Sequence, residues 1–310
     1  MMSGFSRSWA AGTLAAATLL SATACGSGTA ETATSTASKP EVVAAFYPLQ
    51  WLTEQVGGSD VQVTGLTAPG VEPHDLELGL QQVSDLRRAA LTVYIKGVQP
   101  AVDDAVDQEK GFDAATAVPT LPAGEHEEEA HAGEEHGHEE VSYDPHLWLD
   151  PSRLATVATK LGERLAAVDA AHAQAYKDRA ARTAAALGSL DQEFAKGLTT
   201  CTTKTLVTAH EAFGYLADRY QLKQVGITLD PETEPSPARL SEVAKVAKAE
   251  GVTTIFTESL VSPKVAEVLA SQVGAKTAVL DPLESKPSGD YLSAMRDNLK
   301  TLQSALGCTA

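Results

Sequence analysis

The sequence predicts an α/β protein made of two α/β lobes, each on a mostly parallel sheet, joined by one long helix. Three patterns predict it. From Glu41 onward, short apolar runs alternate with stretches of helical period, the grammar of βαβ units. Between Ser152 and Gly197 a helical period dominates. After Gly197 the βαβ alternation starts again.

Each element has its own signal. Val42 to Phe46 is a continuous apolar run, expected as a buried strand. Pro48 opens a helix through Val56, and Gly57-Gly58 ends it. Val61 to Leu66 is the next strand, and a turn-rich loop, Ala68 to Pro73, leads to His74. A helix over Gly79 to Ala89 precedes a strand over Leu91 to Ile95. Leu154, Val157, Leu161, Leu165 and Val168 fall on one helical face, and Asp169 caps or breaks that helix. Tyr176, Ala180, Thr183, Leu187, Leu190 and Phe194 then mark a second helix ending at Gly197, about 26 residues and about 40 Å long. Strands follow at Thr205 to Ala209, Gln224 to Leu229, Thr253 to Glu258 and Lys276 to Asp281. Helices are expected at Ala212 to Tyr220, Pro237 to Glu250, Pro263 to Val273 and Gly289 to Leu306.

The chain has 310 residues, enough for two cores of ordinary size, so a small disulfide-stapled module is excluded. Lys and Arg number 24 against 41 Asp and Glu, a formal charge of −17 that argues against a nucleic-acid or anionic-membrane reader. The charge is uneven, because Gly124 to Glu140 carries eight Glu and no Lys or Arg. With few apolar residues, that stretch is expected as a solvated loop.

The first residues read as an export signal: Arg7, a short apolar run from Trp9 to Leu20, then Ser21-Ala22-Thr23-Ala24 before Cys25. The run is too short to span a bilayer, which needs about 20 residues. Small residues before Cys25 resemble a bacterial lipobox, with Ala22 where Leu is preferred, so lipidation at Cys25 is expected. Gly26 to Lys39, poor in large apolar residues, suits a flexible tether. With Cys25 lipidated, Cys201 and Cys308 remain, and export favours a disulfide between them over two free thiols.

Of the eight His, His126, His131, His136 and His138 lie in the Glu-rich stretch, and His172 is expected to be a solvated side chain. His74, His146 and His210 sit in a loop after a strand, in a proline-flanked segment and at a strand end. Asp281 also ends a strand, and ligands of open α/β sheets collect at such carboxyl ends. Three imidazoles and one carboxylate would suit tetrahedral Zn²⁺. Taken singly, each His reads equally as a surface or capping side chain, and spacings of 72, 64 and 71 residues form no compact signature.

Five segments carry a resemblance over nearly the whole chain from Glu41: Val71-Glu72-Pro73-His74-Asp75, Asp144-Pro145-His146-Leu147-Trp148-Leu149-Asp150, Val207-Thr208-Ala209-His210-Glu211-Ala212-Phe213-Gly214-Tyr215-Leu216, Glu234-Pro235-Ser236 and Leu280-Asp281-Pro282-Leu283. With them the chain resembles the solute-binding lipoproteins of zinc and manganese ABC transporters. That resemblance implies two α/β lobes on a rigid backbone helix. It implies one ligand each from His74, His146 and His210, with Asp281 as the fourth and water or Glu72 as substitutes. His at position 210, where manganese members tend to carry Glu, implies Zn²⁺ as the transported ligand over Mn²⁺ or Fe²⁺. The acidic insert implies an auxiliary zinc-collecting loop of His126, His131, His136 and His138, set against a plain solvated loop.

The implied partners are an ABC permease and its ATPase, with a metallochaperone besides, for a monomer held to the outer face of the cell membrane by its lipid. A zinc hydrolase is the reading from another class. His210-Glu211 begins an H-E-x-x-H motif, but Gly214 stands where the second His belongs, and no G-x-S-x-G occurs. A non-enzymatic binding protein is therefore expected, with an adhesin as a third reading. The expected divisions are a signal over 1–24, a tether over 25–40, a first lobe over 41–169, a linking helix over 170–197 and a second lobe over 198–310.

Overall fold

The computed structural model describes residues 38–124 and 141–309. The expected signal, Cys25, most of the tether and His126, His131, His136 and His138 lie outside the described residues. In order, the elements are β1 (Glu41–Ala44), α1 (Tyr47–Gly57), β2 (Gln62–Gly65), α2 (Leu80–Arg88), β3 (Leu91–Tyr94), α3 (Pro100–Ala105), β4 (Gly111–Asp113), α4 (Pro151–Val168) and α5 (Ala173–Gly197). Then come β5 (Thr205–His210), α6 (Gly214–Arg219), β6 (Lys223–Thr228), α7 (Pro237–Ala249), β7 (Thr254–Thr257), α8 (Lys264–Val273), β8 (Lys276–Val279) and α9 (Tyr291–Leu306).

The strands form two parallel sheets, ordered β2-β1-β3-β4 and β6-β5-β7-β8. The two orders are the same plan, which bears out the α/β fold class and the restarted βαβ grammar. In each sheet the chain turns one way from the first strand and the other way afterwards. A crevice opens at such a switch point, at the carboxyl ends of the strands.

Most expected elements are present with shifted ends. β5 runs one residue further, to His210, while β8 stops at Val279, short of Asp281. The helix expected from Ala212 starts at Gly214. α3 and β4 were not expected. β4 is three residues long, too short to show a period, although Pro100 at the first turn of α3 is an ordinary start signal.

The long helix, α5, has 25 residues and buries Tyr176, Ala180, Thr183, Leu187, Leu190 and Phe194, the run its period marks. It packs along α4, α1 and α9. Asp150 caps α4 by accepting the Ser152 and Arg153 N–H groups, and Pro151 fills the first turn. Gly162 lets α4 and α5 approach closely, because a Cβ there would lie 2.6 Å from the Ala180 Cβ. His172 is exposed, as expected, and its Nδ1 lies 2.6 Å from Asp169 Oδ2. Cys201 and Cys308 are joined in a disulfide that pins the chain after α9 to the segment before β5. No helix of the described residues is long and apolar enough to cross a membrane.

Candidate metal centre

His74, His146, His210 and Glu284 come together, each offering a donor atom within 4.8 Å of the others. His74 comes from the loop after β2, and His146 from the segment before α4. His210 ends β5, and Glu284 lies in the irregular segment after β8. Two donors thus come from the chain before α4 and two from the chain after α5.

Each imidazole is aimed by a carboxylate. Glu72 Oε1 lies 2.7 Å from His74 Nδ1, Asp144 Oδ1 lies 2.8 Å from His146 Nδ1, and Glu258 Oε2 lies 2.7 Å from His210 Nδ1. The same carboxylates accept the three backbone N–H groups, at 3.2, 2.9 and 3.0 Å. An ionised carboxylate only accepts, so each Nδ1 carries a proton, and Nε2 is the atom left to take either a second proton or a metal ion. Glu72-Pro73-His74 and Asp144-Pro145-His146 make this arrangement locally, two residues apart. Glu258 reaches His210 from the end of the neighbouring strand β7.

The Nε2 atoms converge. Those of His146 and His210 are 3.4 Å apart, and Glu284 Oε1 lies 3.8 and 3.6 Å from them. Donors around a tetrahedral Zn²⁺ at about 2.0–2.1 Å stand about 3.3 Å from one another, so these spacings need little adjustment. Glu284 is 1% exposed, and neither of its oxygens has a hydrogen-bond partner among the described residues. A buried carboxylate without a donor is costly unless a cation completes it.

The electrostatics agree. Burial alone would push the His210 imidazole down, but Glu258 and Glu284 outweigh it and hold the pKa well above the ordinary 6.5. His74 is raised in the same way, with burial outweighed by Glu72 and Glu284. Burial would raise Glu284, yet His210, His74 and His146 hold it below the usual carboxylate range. These groups already stabilise positive charge beside Glu284, the condition a divalent cation exploits.

Asp281 does not belong to this group, contrary to the sequence expectation. Its Oδ1 accepts the Leu283 N–H at 2.8 Å and its Oδ2 lies 3.3 Å from Ser259 Oγ, while burial raises its pKa. Glu284, three residues on, stands in its place. Glu72 is not in the group either: its Oε1 supports His74, while its Oε2 is buried without a hydrogen-bond partner among the described residues. Sequence reading missed Glu284 and Glu258; the available signal for Glu284 was a carboxylate directly after the Leu280-Asp281-Pro282-Leu283 segment.

A cleft of 1490 Å³ borders His74 and His146 and is lined by residues that follow β6 and those around Tyr143. His210 and Glu284 are not on its wall.

The family model described as zinc-uptake complex component A, periplasmic, matches residues 42–305. The zinc-binding lipoprotein AdcA of Streptococcus pneumoniae (strain ATCC BAA-255 / R6) is 36% identical over 278 residues, covering 86% of this chain and 55% of that protein. The chain thus spans about half the length of the AdcA relatives it matches. The high-affinity zinc uptake system protein ZnuA of Bacillus subtilis (strain 168) is 33% identical over 313 residues, covering 97% of this chain and 98% of that protein. Zn(II)-bound AdcA from Streptococcus pneumoniae shares the fold with a TM-score of 0.72 and 33% identity, over 86% of this chain and 58% of that one.

Proposed function

The chain belongs to the family of zinc-uptake complex component A, periplasmic, and from that premise we propose that it captures Zn²⁺ outside the membrane and delivers it to an ABC permease and its ATPase. The observation that carries this reading is the buried, donorless Glu284, whose carboxylate lies within 4.8 Å of a donor atom of each of three imidazoles. His74, His146, His210 and Glu284 are the ligands. Three neutral nitrogens and one oxygen suit Zn²⁺ better than Mn²⁺ or Fe²⁺, which favour more oxygen.

With four protein donors the shell is closed. A hydrolytic zinc needs an open position for water, so the role is capture and release without chemistry on a substrate. Export, a lipid on Cys25 and a monomeric state complete the proposal. His126, His131, His136 and His138 act as an auxiliary loop that holds further Zn²⁺ weakly.

Purification from mixed-metal medium, followed by mass spectrometry of bound metal and competition titration, tests this reading. One tightly held Zn²⁺ per chain is expected, with His210→Ala folded but greatly weakened. Manganese or iron as the main metal, or unchanged affinity in His210→Ala, would overturn it.

A further inference from the structure

Glu284 differs from the other three donors in having nothing to aim it. Each imidazole is fixed through its Nδ1 by a carboxylate, whereas neither Glu284 oxygen has a hydrogen-bond partner among the described residues. With no hydrogen bond to aim it, its direction rests on the packing around it and on the backbone beneath it.

That backbone is unusual. Leu283 has φ +60°, one of two positive values at non-glycine residues in the described chain, and its side chain is fully buried. L residues with branched side chains rarely hold this left-handed conformation unless their surroundings impose it. The surroundings here impose it from three sides. Asp281 Oδ1 accepts the Leu283 N–H at 2.8 Å, closing a turn of the Asx kind. Asn298 of α9 brackets the Asp281 main chain, with Oδ1 accepting its N–H at 3.0 Å and Nδ2 donating to its carbonyl at 2.6 Å. Trp148, two residues after the ligand His146, donates its Nε1–H to the Pro282 carbonyl at 2.7 Å.

We propose that Asp281 is a positioning residue: it touches no ion, and it holds the left-handed turn at Leu283 that presents Glu284 to the metal. This rests on Glu284 being a ligand. It also assigns Asp281, a carboxylate three residues before Glu284 and past the end of β8, a task other than coordination. The turn needs an acceptor at this position and does not need its charge. Asparagine keeps an acceptor oxygen and alanine removes it.

The test is a set of variants read with Zn²⁺ competition titration and with the visible spectrum of the Co²⁺ form, which reports coordination geometry. Asp281→Asn keeps Zn²⁺ affinity and the Co²⁺ spectrum near those of the parent protein. Asp281→Ala loses about 10–100-fold in affinity, the range of supporting groups around metal ligands, and its Co²⁺ spectrum shifts toward that of Glu284→Gln. Asp281→Ala/Glu284→Gln binds no more weakly than Glu284→Gln alone, because the two act through one bond.

Equal large losses in Asp281→Asn and Asp281→Ala would overturn the proposal, since they would make Asp281 itself a ligand. An Asp281→Ala loss that adds fully to that of Glu284→Gln, with the Co²⁺ spectrum unchanged, would overturn it in favour of a general effect on the fold. Unchanged affinity in Asp281→Ala beside a weakened Glu284→Gln would overturn it too. Unchanged affinity in Glu284→Gln would remove instead the ligand assignment on which the proposal stands.

Discussion

Glu258 holds His210 with both of its oxygens, Oε1 accepting the backbone N–H at 3.0 Å and Oε2 the ring Nδ1–H at 2.7 Å. Two donors on one residue leave no place for an amide NH₂. In Glu258→Gln the amide oxygen can serve only one of them, and the NH₂ group then favours an unprotonated Nδ1. The proton moves to Nε2, the atom that would bind the metal. Zn²⁺ affinity should fall by about 10–100-fold. Competition titration measures the loss, and ¹⁵N chemical shifts of His210 report the tautomer. An Nε2–H tautomer with undiminished affinity would contradict this account.

Acid should strip the metal early. The pKa values of His74 and His210 in the metal-free protein are raised above 6.5, so protons compete for Nε2 at a higher pH than ordinary histidines allow. The sign for stability is opposite in the two forms. The charged imidazoles stabilise the metal-free fold fully below about pH 6.5, and that contribution is lost as pH rises through their raised values. Zinc stabilisation grows over the same interval. Calorimetry should show the melting temperatures of loaded and metal-free protein diverging as pH rises from about 6.5 through the raised values. A constant gap would show that the imidazoles are not the competing sites.

The Cys201–Cys308 disulfide spans 107 residues of sequence, so it removes much of the freedom of the unfolded second half. In the chain-entropy model the double serine variant loses about 4–5 kcal/mol. Denaturant unfolding with and without reductant measures it. Zn²⁺ affinity should hardly change, because the bridge joins the chain around β5 and α9 at the ends away from His210 and Glu284.

Arg179 ties α5 to the end of α1. Its Nε donates to the Val56 carbonyl at 2.8 Å, and its Nη2 donates to the Gly57 carbonyl at 2.7 Å and to Asp60 Oδ2 at 2.8 Å. Arg179→Ala leaves these carbonyls at a helix C-terminus without their cation and should cost about 1.5–3 kcal/mol. The unfolding midpoint should drop while metal affinity stays the same. A matching fall in affinity would mean that the two sheets shift when this tie is cut.

How far the sequence discloses the centre depends on how local each arrangement is. His74 and His146 carry their supporting carboxylates two residues back, across a proline, so motif and geometry coincide. His210 ends a strand whose apolar period is plain, although its partner Glu258 comes from another strand, 48 residues on. Glu284 is hidden for a different reason. It follows a left-handed Leu, and no propensity predicts Leu in that conformation. Seen without that turn, Asp281 at the end of an expected strand is the natural fourth donor. The helical runs in α4 and α5 were legible because burial on one face imposes a period, while β4, with three half-buried residues, offers none.

The cleft touches His74 and His146 but not His210 or Glu284, and this has a kinetic meaning. Ligand exchange at a closed tetrahedral ion needs an incoming group to approach while an old bond loosens. With the ion held by the four donors proposed above, an approach by this cleft passes the imidazoles of His74 and His146. A small chelator entering by that face would displace those two bonds first. On that reading, stripping the metal would be a stepwise substitution, with a speed set by the girth of the attacking molecule as well as by its affinity.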